Sequence, residues 1–142
     1  MRAFFGLSAL ISQDLAQVQR LVDFDQVIDD SGDTAVAFQS GTYALAASES
    51  AFEVPFGGVT NASLVIVVAA DEIELQVDSN AAPLVPVRPT PAFPPSSILS
   101  KFQAAAQPGL VLWRGKITSL FATNPSSTAV ARFTVFIVGE AE

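Results

Sequence analysis

The sequence predicts an all-β domain: a jelly-roll-like β-sandwich with an N-terminal arm or short helix and a proline-rich connection. Three observations carry this expectation. Short apolar stretches recur at near-even spacing with turn residues between them, enough for roughly seven to nine strands. Residues 72–77 and 130–138 alternate with period two, as half-buried strands do. Six of the nine prolines fall within residues 81–97, where no helix or central strand can run.

At the N-terminus, Met1-Arg2 leads into the apolar run Ala3 to Ile11. The run has the outline of a short signal peptide, but its charged region is a single Arg, and it is too short to span a bilayer. It reads as an apolar arm, residues 1–14, that docks on a core or a neighbour, followed by one sandwich domain over residues 15–142. From Ser8 to Phe24 the period is ambiguous. Ile11, Leu15, Val18 and Val22 fit a helix face, whereas Val18, Val22 and Phe24 fit alternate strand positions. The reading taken is a helix or arm to about Gln17, then a strand through Phe24.

Asp29-Asp30-Ser31-Gly32-Asp33 has turn chemistry. Residues 34–39 alternate, Ser40-Gly41 is expected to break them, and Thr42–Ala47 reads as the next strand. Phe52–Phe56 is a short strand whose Pro55 suits an edge, closed by Gly57-Gly58. Ser63–Ala70 is rich in Leu, Val and Ile, the pattern of a central strand buried on both faces. In residues 72–77, Ile73, Leu75 and Val77 face one way and Glu72, Glu74 and Gln76 the other, with Asp71 as the preceding turn. The proline segment is expected to be an extended, polyproline-like connection. The last strands are Leu110–Trp113, Ile117–Thr123 and Val130–Val138, with Asn124-Pro125-Ser126-Ser127 as a turn. No internal repeat is present.

Composition bounds the function. Half the 142 residues are hydrophobic and only 15% are charged, against a usual share of about a quarter. So little charge implies that part of the outside is covered in the working state, by other copies or by a partner. The net charge of −7 is uneven. Residues 1–100 set three cations against twelve acids, a net of −9, and residues 101–142 carry +2. An acidic chain with scattered cations is a poor nucleic-acid binder.

Histidine and cysteine are both absent, so the commonest general base and the commonest activated nucleophile are missing. No disulfide, thiolate metal site or Ser-His-Asp triad can form. Ser100-Lys101 are adjacent, and adjacent strand residues face opposite ways. Glu72 and Glu74, with Asp78, offer paired carboxylates of glycosidase type, but one Trp and one Tyr are few for sugar stacking. A solvent-facing strand surface is the simpler reading. Asp29, Asp30 and Asp33 could offer calcium oxygen ligands, but the spacing is not that of a 12-residue loop and the bidentate Glu is absent, so such a cluster is more often a plain turn. Gly57-Gly58 lacks the Lys of a phosphate loop, and the Asn61-Ala62-Ser63 sequon runs into a core-like strand. Eleven Phe against one Tyr favour dry packing over ligand recognition. The expectation is therefore no catalytic, metal or cofactor site.

The stretch Ile117–Ser126 with Arg132–Gly139 resembles the closing hairpin of small β-sandwich virion proteins of tailed bacteriophages, and Phe56–Ala62 leading into a long apolar strand is similar. That group includes head decoration (cement) proteins, often trimeric, and tail and baseplate components. The resemblance implies a non-enzymatic capsid decoration protein located in the virion and assembled in the host cytoplasm. Its partners would be itself, as a homotrimer, and the major capsid protein or another virion protein, with no nucleic acid and no membrane. The alternatives are a tail or baseplate component, or a sugar-binding module of a receptor-binding tip. The expected contacts are the arm (Phe4, Phe5, Leu7), the proline segment (Pro91, Phe93) and the Trp113-Arg114 pair, since Trp and Arg are enriched at hot spots.

Overall fold

Hydrophobic periodicity of two dominates the chain, and the result is ten strands and no α-helix among the described residues. The computed structural model describes residues 2–14, 17–29, 36–92, 94–98 and 105–142, giving the backbone alone for 2–14, 17–29 and 36. The strands are β1 (Arg2–Asp14), β2 (Gln17–Asp29), β3 (Val36–Leu45), β4 (Phe52–Glu53), β5 (Val59–Ala69), β6 (Ile73–Val77), β7 (Val85–Val87), β8 (Gly109–Ile117), β9 (Leu120–Thr123) and β10 (Ala131–Ala141).

Eight of them form a β-sandwich of two antiparallel sheets. One sheet has the order β3-β10-β5-β8 and the other β4-β9-β6-β7. The pairing is nested: β3 pairs with β10, β4 with β9, β5 with β8, and β6 with β7. The remaining two strands, β1 and β2, pair with each other over nearly their whole length as a separate two-stranded sheet.

The core lies between the four-stranded sheets. Leu45, Val65, Val67, Phe133, Val135 and Ile137 come from one, and Ile73, Leu75, Leu120 and Ala122 from the other. Full burial stabilises each large aliphatic or aromatic side chain by about 1.5–3 kcal/mol relative to exposure. Tyr43 bridges the layers, its ring centroid 5.6 Å from that of Phe52 and 5.5 Å from that of Phe133.

Several expectations hold. β5 is central and buried on both faces, and β10 turns Ala131, Phe133, Val135 and Ile137 inward. Ile73 and Leu75 are buried, and β4 is an edge strand followed by Pro55. Others are corrected. Residues 2–14 are a strand, not a helix: they pair with β2 along nearly their whole length, which satisfies the backbone groups of alternate residues. Ser40-Gly41 does not break β3. The Tyr43 ring lies over Gly41, where a Cβ would meet the Tyr43 hydroxyl at 2.5 Å, so the missing side chain makes room within a continuous strand. Ile117 ends β8 rather than beginning the next strand, since the chain breaks at Thr118-Ser119. The proline segment is more than a connection: it supplies β7, an edge strand that accommodates Pro86. The expected turn over residues 30–33 lies outside the described residues.

Candidate functional site

The outward face of the β3-β10-β5-β8 sheet is the most unusual surface. In an antiparallel sandwich the outer face is normally the polar one. Here register assembles an apolar belt across all four strands. One row runs Phe38, Val138, Leu64, Arg114. The next runs Ser40, Phe136, Ile66, Leu112, and the third Thr42, Thr134, Val68, Leu110. Leu64, Ile66 and Val138 are buried, with Val68, Leu112 and Phe136 packed against them. The belt opens at its two edges, where Phe38 is 57% exposed on β3 and Leu110 is 52% exposed on β8. Exposed Arg114, Lys116 and Arg132 border it, and a Thr42–Thr134 hydroxyl contact of 3.0 Å crosses it.

Both ends of the sandwich are tied by buried or multiply bonded polar side chains. Asn124, 2% exposed, donates from Nδ2 to the carbonyls of Leu45, Ala46 and Ala129, at 3.3, 2.9 and 2.8 Å. Its Oδ1 accepts the Ser126 N–H at 2.9 Å, so one amide joins the loops after β3 and β9. At Asp78 the backbone is left-handed, with φ of 61°. Its Oδ1 accepts the Thr118 N–H and hydroxyl and the Ser119 N–H. These bonds, the Thr118 N–H foremost, hold the carboxyl below its ordinary value.

No protein-family model, no curated protein and no solved structure matches the chain.

The residues singled out from sequence are dispersed. Trp113 faces inward and packs against the core half-buried, while Arg114 is exposed on the opposite face, so the two do not form one anchor. Pro91 is exposed, just beyond the Thr90–Gln107 bridge. Phe4, Phe5 and Leu7 lie on β1 with only their backbone described, and Phe93 is outside the described residues, as are Asp30, Asp33, Ser100 and Lys101.

Glu72 accepts a 2.6 Å hydrogen bond from Arg88 Nε, so this carboxylate is engaged in an exposed ion pair. Asn61 of the sequon donates to Glu140 Oε2 at 2.6 Å across β5 and β10. Glu53, Val54, Pro55, Phe56, Thr118 and Ser119 line an open cleft of about 300 Å³. Among the described residues, no three His, Cys, Asp or Glu side chains cluster as metal ligands, and no helix is long and apolar enough to cross a membrane. Sequence reasoning found the two-sided burial of β5 but missed the belt, because Phe38, Leu110 and Leu112 join it only through register.

Proposed function

We propose that the chain is a jelly roll that serves as a non-enzymatic structural protein of a phage particle, decorating and stabilising the head as a self-associating, trimeric cement protein. What carries the reading is the outward apolar belt on a nested eight-stranded sandwich. Pairing first strand with last, second with seventh, third with sixth and fourth with fifth is the plan of a rolled-up hairpin, and jelly rolls of this kind build viral capsids. Cement proteins need large, low-charge contacts, because a stable interface buries on the order of 1,200–2,000 Å² around an apolar centre. The exposed ends of the belt, Phe38 on β3 and Leu110 on β8, offer apolar contacts of this kind, with Arg114, Lys116 and Arg132 as polar neighbours. In this reading residues 1–14 act as an arm to a neighbouring subunit. The inward packing of Trp113 disfavours the sugar-binding alternative, which would need that ring exposed.

The test is immunogold labelling of particles purified from the cells that produce the protein. Label spread over heads supports decoration. Label confined to tail tips moves the protein to the baseplate, and absence of label from all particles ends the virion reading.

A further inference from the structure

A sheet edge is a row of unpaired N–H and C=O groups, and proteins normally blunt it with charge, proline, bulges or brevity. Three of the four sandwich edges follow that rule. β4 has two residues and runs into Pro55, and β7 has three and contains Pro86. β8 carries exposed Arg114 and Lys116 around Gly115, whose φ is +140°, and its register with β5 shifts there. The fourth edge, β3, has none of these devices. It is ten residues long, uncharged and proline-free, in unbroken register with β10.

The backbone groups on that free edge can be named. The Arg132 carbonyl accepts from Ala70 N–H, on the β5 side of β10. Alternation then turns the even-numbered residues of β10 toward β5 and the odd-numbered ones toward β3. The pairing of Thr42 with Thr134 makes the even-numbered residues of β3 face away from β10. Phe38, Ser40, Thr42 and Ala44 therefore present their N–H and C=O groups to the free edge, where no described strand pairs with them.

The chain also contains a sheet in need of a strand. A two-stranded sheet is marginal in water by itself, and β1–β2 is one. Its strands differ sharply. β2 carries Arg20, Asp23, Asp25 and Asp29, whereas β1 has no charge from Ala3 to Gln13. At 13 residues β1 is long enough to cover β3 end to end.

We infer that β1 of one copy adds to the free edge of β3 in a second copy, extending the sheet to the order β2-β1-β3-β10-β5-β8. Main-chain hydrogen bonds give such strand addition its affinity. The contact is heterologous: where the rotation between copies closes it makes a ring, such as a trimer, and where it does not it makes an open filament. It rests on the self-association in the proposed function and not on the particle.

Light scattering after size exclusion and amide hydrogen exchange of the full chain test it. Ser40→Pro removes a donor from the free edge and leaves the β10 ladder intact. The expected result is an oligomeric wild type with slow exchange at Ser40, Thr42 and Ala44, and a folded, monomeric Ser40→Pro with fast exchange at Thr42 and Ala44. Should Ser40→Pro fail to fold, Thr42→Lys puts a charge on the same edge. The donor strand is identified by mixing Leu7→Cys and Thr42→Cys copies of this cysteine-free chain with a short bismaleimide; the expected product joins one copy of each. A monomeric wild type, wild-type mass for the folded edge variant, fast exchange at the even-numbered amides within the oligomer, or cross-links only between two Thr42→Cys copies overturns the inference. An intact oligomer with unlabelled particles would instead sink the virion reading and leave strand exchange standing.

Discussion

Asp78 and Thr118 fasten the turn after β6 to the break between β8 and β9: Asp78 Oδ1 accepts the Thr118 N–H at 2.6 Å and its hydroxyl at 3.0 Å. In return the Asp78 N–H donates to the Ser119 carbonyl at 2.9 Å. The backbone bond from Thr118 is the largest cause holding the carboxyl below its ordinary 3.8. A depressed folded value contributes stability that is fully present above the unfolded value and lost as pH falls through the folded one. Asp78→Asn retains an acceptor oxygen, and Asn tolerates the left-handed φ. Urea midpoints should therefore fall more steeply for wild type than for Asp78→Asn as pH falls below the ordinary carboxylate value of 3.8. Parallel curves would show that the carboxylate adds nothing beyond its acceptor.

Asn124 provides a sharper case because it is buried. Its donor group faces three carbonyls, and Asn124→Asp replaces that donor with an acceptor. A buried unpaired charge costs about 3–5 kcal/mol, so Asn124→Asp should be strongly destabilised at pH 7. Desolvation and the facing carbonyls raise this new carboxyl's folded pKa, so protonation favours the folded state and stability should recover as pH falls toward that value. Asn124→Ala should lose roughly 1–3 kcal/mol with no such recovery. Thermal melts at pH 7 and pH 5 separate the two.

Gly139 sits where β10 and β5 shift register. A Cβ there would lie 2.0 Å from the Asn61 carbonyl oxygen and 2.7 Å from the Ala62 Cα, both backbone atoms that cannot rotate away. At Gly58 a Cβ meets nothing within 4 Å. Gly139→Ala should cost about 1–3 kcal/mol or more, and Gly58→Ala should stay within about 0.5 kcal/mol of wild type. Equal urea midpoints for the two variants would contradict the close approach at Gly139.

How much of this was readable beforehand depends on whether the signal is local. β5 was legible because an apolar run of that length leaves no polar face to expose. β10 was legible from its alternation. The strand β1 was not, since Ile11, Leu15, Val18 and Val22 fit a helix as well, and pairing with β2 decided between them. Gly41 looked like a breaker because its reason for being glycine, the Tyr43 ring above it, is a tertiary fact. Asn124 was readable as a turn residue, but its partners Leu45 and Ala46 lie nearly eighty positions earlier in the chain. The belt was invisible for the same reason: no row of it is contiguous in sequence.

That belt yields the prediction that separates folding from association. Leu64 and Ile66 point outward yet are 0% and 1% exposed, so truncation leaves a cavity as it would in the inner core. Leu64→Ala and Ile66→Ala should each cost about 2–5 kcal/mol. Phe38 and Leu110 share the same face, but their exposure means that the folded subunit gains little from them. Phe38→Ser and Leu110→Ser should therefore change monomer stability by no more than about 0.5 kcal/mol. If the face is a contact surface, the same two variants should lower the native mass or the affinity for the particle, because exposed aromatic and aliphatic groups at a contact's edge are desolvated only on assembly. Urea melts and light scattering on all four variants give the comparison. Loss of stability at Phe38 with unchanged association would mean that the belt belongs to the fold alone.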